Sequence, residues 1–273
     1  MTQVRPAAVA GVFYPGDAQT LALTVTTLLQ EADRPGSANS VALLPKAVIV
    51  PHAGYVYSGP VAATAYARLR AGRDRMKRVV LVGPCHRVPV RGIALPGVER
   101  FATPLGTVAV DQEAAALLRR YPQIVVSPEA HAWEHSLEVQ LPFLQMVLGS
   151  FAIVPLAVGT ASAEQVAEVL EALWGGPETL IVISSDLSHY LPYDVARQVD
   201  SATAHAIVSL QHGIDHEQAC GAIPVDGLLL TAKRRGLEAQ LLDLRNSGDT
   251  AGDKARVVGY GAFAFIETKR HVP

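Results

Sequence analysis

The segment RVVLVGPCHRVP, residues 78–89, decides how the rest of the chain is read. An apolar run rich in valine stops at Gly83-Pro84 and hands over to Cys85 and His86. A run that is short and apolar throughout suits a strand buried on both faces, as at the centre of a sheet covered by helices. Two further runs follow the same plan: KAVIVPH (46–52) ends on His52, and TLIVISSD (179–186) ends on Asp186, with His189 just beyond. In an open α/β sheet, ligands bind past the carboxyl ends of the strands, so three strands ending this way converge on one crevice. A histidine beside a turn is ordinarily a loop residue. Three of the chain's nine histidines at equivalent strand ends point instead to a shared metal or catalytic site.

Outward from these three, further strands are expected at 92–97, 151–159, 239–247 and 257–266. Helices are expected at 17–32, 60–72, 111–120, 136–148, 161–174, 192–212 and 225–235. Asp17 is placed to cap the first helix, and Pro60 to occupy the first turn of the second. Polar stretches at 33–40 and 248–255 read as loops. Short β-rich runs alternating with helical patterns argue for α/β layers, and with no linker or repeat one domain spanning 1–273 is expected.

Composition narrows the function classes. The 273 residues are 49% hydrophobic with a net charge of -2, and the 23 Lys and Arg are scattered, so no nucleic-acid face is expected. No apolar run reaches the ~18 residues of a membrane span. The opening MTQVRPAAVAGVFYPGD lacks a signal peptide's apolar core, so a cytoplasmic location is expected. Two cysteines make no disulfide framework, and a free thiol stays available as ligand or nucleophile.

Two other clusters carry chemistry. In HAWEHSLEVQLPFL (131–144), Glu134 and His135 stand at the expected start of a helix, with Glu134 and Glu138 one turn apart on one face. Either this is a solvated first turn, or it supplies carboxylates and a third histidine to the site. Cys220 precedes a helix expected to begin near Pro224, where a helix N-terminus favours thiolate. The alternative, a small buried hydrophobe, stays open. Tyr55 and Tyr260 could offer hydroxyls to a substrate, while His205, His212 and His216 read as surface residues and His271 as part of a tail. Neighbours in an extended segment point to opposite sides, so Cys85 and His86 do not grip one ion together.

The ordered motifs GVFYP, PHAGYVYSG, GPCHRVP, EHSLEVQLPFL, SSDLSHY and CGAIPVDGLL resemble the Memo family, which includes the AmmeMemoRadiSam system protein B, from about residue 6 to about 266. The resemblance implies a single-domain αβα sandwich with a central mixed sheet, like the LigB-like class III extradiol dioxygenases. Those enzymes hold non-haem iron with two histidines and a glutamate. By resemblance, His52 and His86 are the two histidine ligands, and Cys220 stands where the dioxygenases have the glutamate. Asp186 and His189 match the positions where the dioxygenases keep a catalytic base.

Exchanging carboxylate for thiolate softens the site, so iron comes first and copper or zinc becomes plausible. The leading expectation is a redox or dioxygenase-like step on a small substrate. His189 would be the general base, oriented by Asp186, with Glu134, His135 and Tyr55 lining or supporting the site. A zinc-type metallohydrolase is the first alternative, since two His and one Cys plus water is a catalytic zinc set. The second is a non-enzymatic adaptor that uses the pocket to bind a peptide. The resemblance further implies an AMMECR1-domain protein and a radical SAM protein of the same system as partners.

Overall fold

The computed structural model describes residues 3–33 and 43–267; the loop expected at 33–40, beyond Asp33, and His271 lie outside them. The strands are β1 (Val4–Arg5), β2 (Ala47–Val50), β3 (Arg78–Pro84), β4 (Ile93–Leu95), β5 (Arg100–Thr103), β6 (Gly106–Val110), β7 (Ile124–Val126), β8 (Ala152–Val158), β9 (Thr179–Ser184), β10 (His189–Leu191), β11 (Leu237–Asn246) and β12 (Val257–Glu267). The helices are α1 (Ala18–Ala32), α2 (Tyr55–Arg68), α3 (Gln112–Leu118), α4 (Pro128–Ala132), α5 (Leu141–Val147), α6 (Ala163–Ala172), α7 (Tyr193–Val208), α8 (Ala222–Arg235) and α9 (Ser247–Thr250).

The apolar runs become one mixed sheet in the order β1-β5-β6-β8-β3-β9-β2-β12-β10, with β11 paired to β12 and β4 to β7 and β8. At its centre β8, β3, β9 and β2 run parallel, so the ends of β3, β9 and β2 lie side by side. The two-residue period sends side chains alternately to opposite faces. Val48, Val50, Val79 and Leu81 pack under α1, α2 and α5, while Ala47, Ile49, Val80 and Val82 pack under α6, α7 and α8. These are the two helical layers of an αβα sandwich. Fully burying each such branched side chain contributes about 1.5–3 kcal/mol over leaving it exposed.

Several boundaries differ from the sequence expectation. Helix α2 begins at Tyr55, so Pro60 lies inside it rather than in its first turn. The helix expected at 136–148 is instead a 3-10 turn, Glu138–Gln140, followed by α5, with Pro142 in the first turn of α5. The hairpin β5–β6 was not anticipated, and its turn depends on Gly106, whose φ of +114° disfavours other residues. The loop expected at 248–255 opens with the short helix α9, capped by Asn246 and Asp249.

The N-terminal segment is bound to this frame by a buried ion pair. Arg5 pairs with Glu138, which is fully buried and also accepts from the Ala8 amide (2.7 Å), the Val9 amide (3.0 Å) and the Tyr14 hydroxyl (2.5 Å). Arg5 donates in addition to the carbonyls of His131 (2.8 Å) and Glu134 (2.7 Å), so the segment that carries the site's carboxylate is anchored from behind.

Candidate metal centre

Because β2, β9 and β3 are adjacent and parallel, the residues just past their ends meet. The rings of His52 and His86 have centroids 5.3 Å apart. The third element is the turn before α8, which brings the Cys220 sulfur to 3.3 Å from His52 Nε2. That turn needs glycine at 221, where a Cβ would sit 2.7 Å from that of Ser185. Ligand atoms of His52, His86 and Cys220 all lie within 4.8 Å of one another. Two imidazoles and a thiol so placed fit a mononuclear transition-metal ion.

Each donor is held from outside the cluster. His52 is 2% exposed; its amide donates to Asp186 Oδ1 (2.7 Å), and its Nδ1 lies 2.9 Å from the Ser184 hydroxyl. Burial, with the His135 and His86 rings nearby, holds His52 well below the usual histidine range, so it is neutral and able to ligate. His86 is gripped twice by Glu134, whose Oε2 accepts from the His86 amide (2.5 Å) and whose Oε1 lies 2.9 Å from Nδ1. A carboxylate behind a ligating histidine fixes its ring orientation and raises its basicity. Glu134 also accepts from the amides of His135 and Ser136, both at 2.9 Å. Burial pushes its carboxyl up, but the His86 ring and these amides outweigh it and hold the group at about 2.

The reading of 131–144 as a solvated first turn therefore gives way: Glu134 and Glu138 are buried and serve different partners rather than a common face. His135 completes a trio of rings, stacked on His86 at 4.8 Å and edge-on to His52 at 5.4 Å. Burial lowers it to about 4. Glu134, His135 and His86 form a second group with ligand atoms within 4.8 Å of one another.

Other expectations are corrected. Asp186 does not orient His189; its carboxylate accepts from the amides of His52 and Ala53 and braces the β2 turn. Burial raises it to about 7 despite those bonds. The Gly221 amide at the start of α8 favours the Cys220 thiolate, but burial outweighs it. Burial pushes that thiol up to about 12, the Asp186 charge adding, so a metal ion is what would deprotonate it. Tyr55 offers no hydroxyl to a substrate: it is buried and donates to the Val139 carbonyl at 2.6 Å. Tyr260 is likewise buried. The Cys85 sulfur donates to the Val88 carbonyl (3.2 Å), as suits a structural thiol.

A cleft of about 900 Å³ opens against His86 and Cys220. Apolar Leu191, Val195, Val199 and Ala202 line one wall, and Asp215, His216, Glu217 and Gln218 another. His189 also lines it, lowered by burial and so neutral. Tyr190 holds a left-handed backbone (φ 58°), which costs roughly 1–3 kcal/mol outside glycine, and its exposed ring also lines the cleft. His216 is exposed, as the sequence reading expects, and also lines this cleft, which no spacing in the sequence signals.

Among the described residues no helix is long and apolar enough to cross a membrane. The model of a family described as Memo-like protein matches residues 5–264. A MEMO1 family protein of Ignicoccus hospitalis is 38% identical over 283 residues, covering 96% of this chain and 98% of that protein. One from Aquifex aeolicus is 36% identical over 276 residues, covering 97% of this chain and all of the relative. A crystal structure of an uncharacterized Escherichia coli K12 protein superposes with a TM-score of 0.46 at 14% identity, over 78% of this chain and 98% of that one.

Proposed function

The chain belongs to the Memo-like family, and on that premise we propose that it binds one transition-metal ion, iron first, through His52, His86 and Cys220, and carries out a redox or dioxygenase-like step on a small substrate in the adjoining cleft. The observation that carries this reading is the convergence of two imidazoles and a thiol within 4.8 Å of one another, with His86 and Cys220 lining the cleft. Iron bound there would supply Lewis acidity and one-electron redox chemistry; copper suits the same soft donors.

The chain's own residues do the rest. Glu134 fixes the His86 ring and Asp186 the backbone at His52, so the donors are aimed before any ion arrives. His189, neutral and facing the cleft, accepts a proton from the substrate at a ring nitrogen. The α7 wall of Val195, Val199 and Ala202 holds an apolar substrate body and displaces water from it.

The test is anaerobic loading with Fe(II), removal of free metal and elemental analysis. Wild type retains iron in proportion to protein, and His52→Ala, His86→Ala and Cys220→Ser do not. Oxygen uptake by the loaded protein with candidate substrates then separates redox from hydrolytic chemistry. Retention of zinc alone, with no oxygen uptake, would replace this reading by the metallohydrolase one. Equal iron retention in all four proteins would sink it.

A further inference from the structure

We propose that Ser184 is the positioning residue for His52: its hydroxyl, locked by Ser136 and Gln140, accepts the hydrogen bond from Nδ1–H and leaves Nε2 free to face the Cys220 sulfur. This rests on the metal-site reading above, but the protonation assignment stands on hydrogen-bond bookkeeping alone.

Three groups surround Ser184 Oγ: the Ser136 carbonyl at 2.6 Å, Gln140 Nε2 at 2.8 Å and His52 Nδ1 at 2.9 Å. A hydroxyl has one proton to give and two lone pairs to receive with. A carbonyl only accepts, so the Ser184 proton goes to Ser136. The Gln140 amide cannot be reversed, because its Nε2 also contacts the Pro51 carbonyl at 2.9 Å, which needs a donor. Its Oε1 in turn accepts from the Tyr66 hydroxyl at 2.8 Å. Gln140 therefore donates to Ser184, and what remains facing His52 is a lone pair. The proton of that bond lies on Nδ1.

The consequence falls on the other ring nitrogen. With Nδ1 carrying the proton, a neutral His52 offers Nε2 as an acceptor, 3.3 Å from the Cys220 sulfur, where the thiol proton points in the metal-free protein. An ion that replaced this proton, released to solvent, would be held by Nε2 and the thiolate sulfur, which already face each other. This chain of hydrogen bonds is shut off from bulk solvent, since Tyr66, Ser136 and Ser184 are fully buried and Gln140 is 1% exposed. His86, oriented by a carboxylate and 27% accessible at its side chain, is held by different means. Ligand-orienting partners of this kind ordinarily change metal affinity by 10–100-fold when removed.

Two measurements test the assignment. Long-range ¹H–¹⁵N correlation of the metal-free protein reads the His52 tautomer directly, and the expected result is Nδ1–H; an Nε2–H ring would overturn the inference. Co(II) affinity is then measured by competition with a chromophoric chelator. Ser184→Ala is expected to bind Co(II) about 10- to 100-fold more weakly, with a mixed His52 tautomer. A folded Ser184→Ala protein with wild-type affinity and tautomer would overturn the positioning role. Should that variant not fold, Gln140→Met loosens the same hydroxyl one link away, and unchanged affinity there overturns it equally. Wild type that shows Nδ1–H but takes up no Co(II) would remove the metal reading while keeping the tautomer.

Discussion

Replacing Glu134 by Gln changes almost nothing in shape and removes one charge, so it isolates what the buried carboxylate does. In the native protein Oε1 faces three donors, His86 Nδ1 and the amides of His135 and Ser136, and Oε2 accepts from the His86 amide. A glutamine keeps its oxygen toward the three and must turn its NH₂ on the fourth, setting donor against donor at a site that is 1% exposed. A buried unsatisfied group costs about 1–3 kcal/mol, and bonds to a charged acceptor exceed neutral ones. A second route gives a similar size. The drop from 4.5 to about 2 corresponds to roughly 3 kcal/mol of preference for the charged form, at about 1.4 kcal/mol per tenfold. Metal-free Glu134→Gln should therefore be about 3 kcal/mol less stable than wild type at pH 7.5, read from urea midpoints at unchanged slope. Because the folded-state value is depressed, that contribution is present above pH 4.5 and fades as pH falls toward about 2, so the two curves should approach each other in acid. A loss below about 1 kcal/mol at pH 7.5, or a gap that widens in acid, would refute the reasoning.

Glu138→Ala leaves Arg5 buried without its carboxylate and should cost roughly 3–5 kcal/mol by denaturant melt; a loss under about 1 kcal/mol would mean the N-terminal segment is not anchored there. His135, lowered from 6.5 to about 4, stabilises the fold above pH 6.5 and loses that contribution as pH falls toward about 4. Between pH 7.5 and 5, metal-free His135→Gln should thus gain about 2 kcal/mol relative to wild type. Asp186 and Asp200, both raised by burial, pull the other way, so the difference between the two proteins carries the test rather than either curve alone. Tyr55→Phe loses only the bond to Val139 and should cost about 1 kcal/mol with Fe(II) retention unchanged; loss of iron would return Tyr55 to the site.

What the sequence made legible follows from where its signals are local. RVVLVGP, KAVIVPH and TLIVIS announce buried strands because they are short, rich in β-branched residues and, in the first two, closed by proline, and they sit at the sheet centre. The hairpin β5–β6 was hidden because RFAT and GTVAV are half-exposed and too short to show a period against their flanks. The broken helix at 138–147 was hidden because its interruption comes from the distant Arg5, Ala8 and Val9, which draw Glu138 inward.

The same distinction runs through the site. His52 and His86 were readable because strand order turns two sequence positions into one place: parallel neighbours end at the same level. No such rule places Cys220, which reaches His52 through the turn before α8, and there family resemblance did what spacing could not. Nor does any rule assign the orienting groups. Asp186 looked like a partner for His189 because both lie in SSDLSHY, yet an extended chain carries near neighbours apart, and the carboxylate instead meets amides from the end of β2. Ser184 and Gln140 gave no signal because a serine in a strand and a glutamine before a helix are unremarkable until every donor and acceptor around them is counted. Ligand identity is a property of a residue and survives in a sequence. Ligand orientation is a property of the hydrogen-bond network, and it exists only once the strands have been laid side by side.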